Sequence, residues 1–368
     1  MATIQFRRDT SGNWTSNDPT LLIGELGIET DTYKIKMGDG STSWTSLGYL
    51  NINAGPYAIV PVQGTTRGFS GGGYTGASGQ NAIESFSFTT DGNASDWGDL
   101  TAVVPTQGCP GISDVANSNV YVNLGSWPAT VPGGTTVNKF SSASSSNATS
   151  GDVVATRKHV GGGGAMSTEK GYFMGGSDPA VGGYDGKISA FPFASEGTMT
   201  NVGDMVDQAP FSAYGFGVAM NPTTVYMAGG GDNPTGTPDM IQKFTFASEG
   251  TATDSGGNLI DTTNGREIKG NYGPTHGFVV GGRPGFVNVI QSFPFASEGD
   301  GATDVADLTT NLANSMESSS TTHGYQAGGR TPTTVNTIQK FATTGSGANA
   351  TDVGDLATTA YDGVSGQV

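Results

Sequence analysis

The chain has 368 residues, a formal net charge of −16 and 60 glycines. Charged residues make up only 13% and hydrophobic ones 35%, and no apolar run approaches the ~18–20 residues of a membrane helix. Acidity argues against nucleic acid as a ligand, because phosphate binding needs a basic footprint; regular aromatics argue against disorder; and a single cysteine, Cys109, leaves no disulfide framework or cysteine-based zinc cluster.

Residues 1–50 read as a small all-β module. Met1 to Arg8 holds no apolar h-region, so no secretory signal is expected. Short alternating runs at Thr3–Arg7, Tyr33–Met37 and Trp44–Leu47 are separated by turn signals such as Gly38-Asp39-Gly40-Ser41. A module of roughly 50 residues is near the lower limit for a core that stands alone. That predicts a homotrimer, with three intertwined copies supplying the missing core. Residues 51–67 read as a linker, opening with Asn-Ile-Asn-Ala-Gly-Pro at 51–56.

From there to residue 368 the chain repeats itself. Ile-x-x-Phe-x-Phe-Ala-Ser-Glu-Gly occurs at Ile188–Gly197, Ile241–Gly250 and Ile290–Gly299, with weaker copies at Ile83–Gly92, Val137–Ser146 and Ile338–Gly345. The first Phe of each copy falls at 86, 140, 191, 244, 293 and 341. Upstream of each lies an aromatic strand running into glycines, as in Gly171-Tyr172-Phe173-Met174-Gly175-Gly176. Downstream lies an Asp-Val-Gly-Asp-Leu type segment, as at Ala350–Leu356. With a small-residue strand such as Gly215–Met220 in front, each period offers four short strands. Four strands per ~50 residues, six times over, is the signature of a β-propeller. The Gly pairs are expected to let blades pack closely.

An open ring would expose two strand edges, which proteins avoid. Two segments could supply the missing first strand of the first blade, Ala58–Gln63 and the C-terminal Asp362–Val368. Leu308 precedes Met316 by the same interval as Leu356 precedes Val364. Gly363–Val368 is therefore expected to complete the blade that contains Gly68–Gly73. The fold predicted for the whole chain is all-β: a small N-terminal module and a six-bladed propeller over 68–368, closed by the C-terminal strand.

The aromatic strand ending in Gly-Gly, at a ~50-residue period, resembles kelch repeats. The usual fourth-strand Trp survives only as Trp97. Residues 1–50 resemble the N-terminal module of phage tail-fibre and tropism-determinant proteins. The residues that carry the likeness include Ile4-Gln5-Phe6-Arg7-Arg8, Trp14, Gly24-Glu25-Leu26-Gly27, Glu29-Thr30-Asp31-Thr32, Lys34-Ile35-Lys36, Gly38-Asp39-Gly40 and Trp44. This resemblance implies a virion protein with a β-prism-like anchor, often intertwined in a trimer. The chain departs from the tropism determinant in ending on a propeller where that protein has a lectin-like tip.

Chemistry is sparse. Cys109 reads as a small core residue, and His276 and His323 occupy equivalent places that suit a repeated turn role better than a ligand pair. Arg283 and Arg330 follow the Gly pairs of adjacent repeats and are expected side by side, as solvated loop residues or as part of a site. Asp99, Asp152, Asp204, Asp307 and Asp355 recur at one register, which suits a turn or an inter-blade hydrogen bond. Asn93, Asn147 and Asn349 begin Asn-Ala-Ser/Thr triplets that match a glycosylation sequon, but no modification is expected in a protein made in a bacterial cytoplasm. No Walker loop or HExxH appears. No catalytic residue, cofactor, metal or enzymatic activity is expected.

Binding usually lives in the variable parts of a repeat, here the loops after the Gly pairs. They carry Tyr74, Trp127, Tyr184, Asp232, Arg283, Phe286 and Arg330. Exposed aromatics with planar polar groups suit carbohydrate or protein surfaces. The expected function is a non-enzymatic tail fibre or surface appendage whose propeller meets a host glycan or protein. The expected partners are other virion proteins, met through residues 1–50. The alternative is a structural decoration or connector protein of the virion.

Overall fold

The computed structural model describes residues 6–32, 34–49, 62–104, 108–124, 136–156, 159–178, 183–184, 186–206, 215–230, 239–260, 265–283, 285–344 and 347–368. They belong to two compact units, one within residues 1–59 and one within 60–368.

In the first unit Arg7–Asp9 runs parallel to Leu26–Glu29, which pairs antiparallel with Ile35–Met37. A helix at Ser11–Asn17 departs from the expected all-strand pattern. Its start is local chemistry: the Thr10 side chain accepts from the Asn13 amide, as N-cap residues do. The helix delivers Trp14 onto Trp44, ring centroids 4.1 Å apart, and its indole N–H donates to Ile28 O at 3.0 Å. With Leu21 these rings form the small core. Trp44–Leu47, expected as a strand, is a turn, because Trp44 points inward while the Ser46 and Leu47 amides fold back onto Ser43 O. Of the expected strand Thr3–Arg7, residues 3–5 lie outside the described residues, and the strand seen begins at Arg7.

The described residues of the second unit form six four-stranded antiparallel sheets. Sheet one holds Val364–Gln367, Arg67–Gly71, Gln80–Ser87 and Ser95–Val104. Sheet two holds Gly111–Asp114, Asn119–Asn123, Thr136–Ser141 and Thr149–Val154; sheet three Gly163–Met166, Lys170–Met174, Lys187–Pro192 and Thr200–Asp204. Sheet four holds Gly217–Met220, Thr224–Ala228, Met240–Thr245 and Thr253–Asn258; sheet five Lys269–Tyr272, His276–Val280, Val287–Pro294 and Thr303–Leu312. Sheet six holds Met316–Ser319, His323–Ala327, Thr337–Ala342 and Thr351–Asp355. The C-terminal strand enters sheet one with Val364 opposite Gly71 and Gln367 opposite Gly68. Of its rival, Ala58–Gln63, residues 58–61 lie outside the described residues.

The same contacts join successive sheets. A backbone amide of each sheet donates to the outer strand of the one before: Ala148 to Asp99, Met199 to Val154, Ala252 to Asp204, Ala302 to Asn258, Ala350 to Asp307, and Ala94 to Asp355, all at 2.7–2.9 Å. The last of these runs from sheet one to sheet six. Three of the recurrent Asp residues, 99, 307 and 355, also donate their own amides to the Oδ1 of Asn147, Asn349 and Asn93 across the junction. The sequon asparagines are thus inter-sheet acceptors.

Aromatic stacking follows the same rule. Tyr121, Tyr172, Tyr226 and Tyr325 each lie against a Phe of the next sheet, Phe193, Phe246, Phe295 and Phe88, at 4.6–5.7 Å. Where the second strand offers Phe69 or Phe278, the next sheet carries Ser142 or Thr343 at that place. At the first of these, Trp97 packs on Phe69 at 5.2 Å and donates to Ser141 O.

The Gly pairs act as expected in part: a Cβ on Gly328, first of the pair ending the second strand of sheet six, would lie 2.3 Å from Ala360 O in the chain leading into sheet one. A Cβ on Gly176, second of a Gly pair and at φ +89°, would lie 2.6 Å from the His159 carbonyl carbon, in the chain leading into the same sheet. Sheets also approach closely at the fourth strand, where a Cβ on Gly203 would meet Gly250 O of sheet four, and at the inner strands, where a Cβ on Gly164 would meet Gly111 O of sheet two. Cys109 is buried, as expected. His276 and His323 each bond a preceding threonine hydroxyl, Thr275 and Thr322, at 2.9 Å. His159 is a core residue bonded to Gly175 O and Ser189 Oγ.

Candidate functional site

The ends of the second strands that bear the Gly pairs carry the loops singled out above. On sheets five, six and one these loops converge. Each inner strand is entered through a residue in the left-handed region, Glu267 for sheet five at φ +51° and Asp362 for sheet one at φ +57°. This sharp entry places the Glu267 carboxylate between two loops. Arg283 Nη2 pairs with Oε1 and Arg330 Nη2 donates to Oε2, both at 3.2 Å. The two arginines are therefore not solvated singly. They share one carboxylate, and these three groups keep one net positive charge.

The Arg330 guanidinium lies over Tyr361 at 5.0 Å and over Phe286 at 5.9 Å, a geometry in which the ring quadrupole attracts the cation. Tyr361 in turn meets Tyr74 edge to face at 5.8 Å. Tyr74 and Tyr361 also exchange backbone hydrogen bonds, at 2.8 and 3.1 Å. Tyr361 is held above its usual pKa, first by burial.

Four of the seven expected residues, Tyr74, Arg283, Phe286 and Arg330, are thus brought into one cluster. Tyr184 lies apart in a two-residue strand paired with Ser177–Asp178. Trp127 and Asp232 lie outside the described residues. Sequence reasoning missed Glu267 and Tyr361. Both stand where a strand begins; the repeat pattern does not mark Glu267, since Gly161 and Gly215 occupy the corresponding entries of sheets three and four, whereas Tyr361 repeats Tyr214 in sequence.

The cluster presents half-buried ring faces around a fixed guanidinium. That chemistry stacks and hydrogen-bonds; it offers no free carboxylate pair, since Glu267 is committed to two cations. Among the described residues no group of three His, Cys, Asp or Glu side chains could hold a metal ion.

Residues 4–42 match the family described as the Major tropism determinant N-terminal domain. Two curated proteins are similar over the same end of the chain. A protein named hyaluronoglucosaminidase from Streptococcus pyogenes phage H4489A is 45% identical over 47 residues, 13% of each chain. One of the same name from phage H10403 is 40% identical over 48 residues, 13% of this chain and 14% of that one. The chain thus matches only about an eighth of each relative's length, and the likeness is confined to the N-terminal unit.

Proposed function

We propose that the chain is a non-enzymatic phage virion protein, a tail fibre or other surface appendage. Residues 1–50 attach it to other virion proteins as a homotrimer, and the second unit meets the host surface. The observation that carries this reading is the match of residues 4–42 to the tropism-determinant domain. The activity named for the two phage relatives is not carried over, because the shared segment is the N-terminal one.

For the second unit we propose a kelch-like six-bladed propeller over residues 68–368, completed by the C-terminal strand. Its support is the repeated amide-to-carbonyl bond at every junction, from sheet one round to sheet six and back. A cavity of about 40 Å³ lined from all six inner strands supports an axis at their centre. The face bearing Tyr74, Phe286, Arg330 and Tyr361 is the one we assign to host glycan, since half-buried rings beside a fixed guanidinium suit hydroxylated ring ligands.

The test is binding of the purified chain to host cells and to their extracted envelope glycans, with Phe286→Ala and Tyr361→Ala variants compared. Loss of binding in the variants supports the reading. Absence of binding by the unaltered chain to cells the phage infects would refute it. That result would favour the second reading, a decoration or connector protein, for which the observation is that Glu267 already engages both arginines.

A further inference from the structure

The residues through which the six inner strands are entered bond one another in a closed round. Gly161 donates its amide to Gly108 O, Gly215 to Gly161 O, Ile268 to Gly215 O, Asn314 to Glu267 O and Asp362 to Asn314 O, at 2.6–3.1 Å. The Gly108 amide closes the round on the Asp362 carboxylate. All six entries, Gly108, Gly161, Gly215, Glu267, Asn314 and Asp362, line one cavity of about 20 Å³.

The two halves of this lining differ. Sheets two, three and four contribute glycine, while sheets five, six and one contribute polar side chains. Glu267 is held by Arg283 and Arg330. Glu317, deeper in the same lining, lies 3.7 Å from Lys269. Asp362 is met by neutral N–H groups alone among the described residues, the Gly108 amide and Asn314 Nδ2 at 2.5 Å. Lys269 and Arg330 act on it from further off, each engaged elsewhere.

Asn314 leaves a second need unmet. It is 4% exposed, and its Oδ1 has no partner. A buried acceptor without a donor is costly. The cavity thus joins, through one hydrogen bond, a bare amide oxygen and a carboxylate without a counter-ion. A hydroxyl would serve the oxygen alone. A cationic N–H donor serves both, and charge-assisted bonds are the stronger kind. A calcium ion takes about six to eight oxygens, and the described residues gather no such ligand set.

Size and place narrow the choice further. A cavity this small holds one group of about a water's volume, so an ammonium enters where an acetamide does not. Asp362 directly follows Tyr361 in the chain, and Glu267 and Arg330 belong to the ring cluster described above. A ligand stacked on those rings therefore has the cavity beside it.

We propose that this cavity receives the ammonium group of an amino sugar, which donates to Asn314 Oδ1 and pairs with Asp362 while the sugar ring lies on the neighbouring aromatic faces. The proposal rests on the glycan reading of that face and narrows it to glycans that carry free amines.

The test is calorimetric titration of the full chain with the tetrasaccharides of chitosan, chitin and cellulose. These share one backbone and differ in carrying an ammonium, an acetamide or a hydroxyl at the second carbon. With its amines protonated, the chitosan fragment should bind at least about tenfold more tightly than either of the others. The chain is acidic overall, with a formal charge of −16, so a local preference has to be separated from a general one. Asn314→Gly changes no charge and installs the residue that sheets three and four carry at that place. It should weaken binding of the chitosan fragment about tenfold and leave the other two unchanged. Should that variant not fold, titration of the unaltered chain in about 0.5 M salt decides, because screening removes attraction to the surface at large and spares a buried contact. The preference should persist there. Equal binding of the three fragments, a preference unchanged in Asn314→Gly, or one that vanishes in salt would overturn the proposal and leave the glycan reading standing. Binding of none of the three would overturn it as well, while titration against host cells still decides the wider reading.

Discussion

Removal of residues 364–368 should destroy the cooperative fold of the second unit. Val364 is 2% exposed, and burying such a side chain is worth about 1.5–3 kcal/mol. Gln367 is the more connected residue. Its amide donates to Ser113 Oγ at 2.8 Å, its Nε2 to Val62 O and Tyr272 Oη at 2.5 Å, and its Oε1 accepts from the Ser319 amide at 2.6 Å. Val368 O accepts from the amides of Thr65, Thr66 and Arg67. Each buried group left without a partner costs about 1–3 kcal/mol. The combined loss is comparable with the ~5–15 kcal/mol by which a whole domain is held. Calorimetry of the truncated chain should show the main transition lowered by more than about 10 °C or absent. Gln367→Ala should give a graded fall of about 5–10 °C. A truncated chain that melts within about 2 °C of the full one would refute the reasoning, and would mean that another segment completes sheet one.

Phe193→Ala should cost about 3–5 kcal/mol in urea unfolding, as a large-to-small change at a packed junction. Tyr121→Phe, which loses only the hydroxyl bond to Glu196 at 2.9 Å, should cost about 1 kcal/mol; equal costs would show that the hydroxyl, not the ring, joins the sheets. Glu267→Gln should lower stability by an amount on the order of 1 kcal/mol, because its arginine partners are partly exposed and screened. That loss should shrink in about 0.5 M salt, and a loss unmoved by salt would exclude the shared ion pair as its source.

The repeat was legible because its Phe residues must recur wherever a sheet faces the next. Ile188, Phe191 and Phe193 are all buried, and their copies hold the same places. The register of the C-terminal strand was legible from one interval, Leu356 to Val364, since the fourth strand of one sheet leads directly to the first strand of the next. The helix at Ser11–Asn17 was not, because its seven residues are too few for a 3.6-residue period to show. The cluster at Glu267 was half legible. Two arginines after two Gly pairs predicted neighbours, but their shared partner comes from a strand entry that sheets three and four fill with glycine. The reason for the recurrent asparagines lay beyond the chain's local order, since each bonds a residue 42 to 262 positions away.

The alternation of Tyr–Phe with Phe–Ser and Phe–Thr pairs divides the core. One continuous apolar cluster runs through sheets two to five, while separate ones serve sheets one and two, five and six, and six and one. The two junctions without a stacked pair lie at the ends of that long cluster. Under mechanical load the unit should therefore part at those two places, shedding sheets six and one together before the remaining arc yields. An optical-tweezer trace from a chain pulled at residues 68 and 368, on strands paired with each other in sheet one, should show the C-terminal strand released first and then two rips of unequal length, the shorter first; a single rip would mean that the six junctions fail as one foldon.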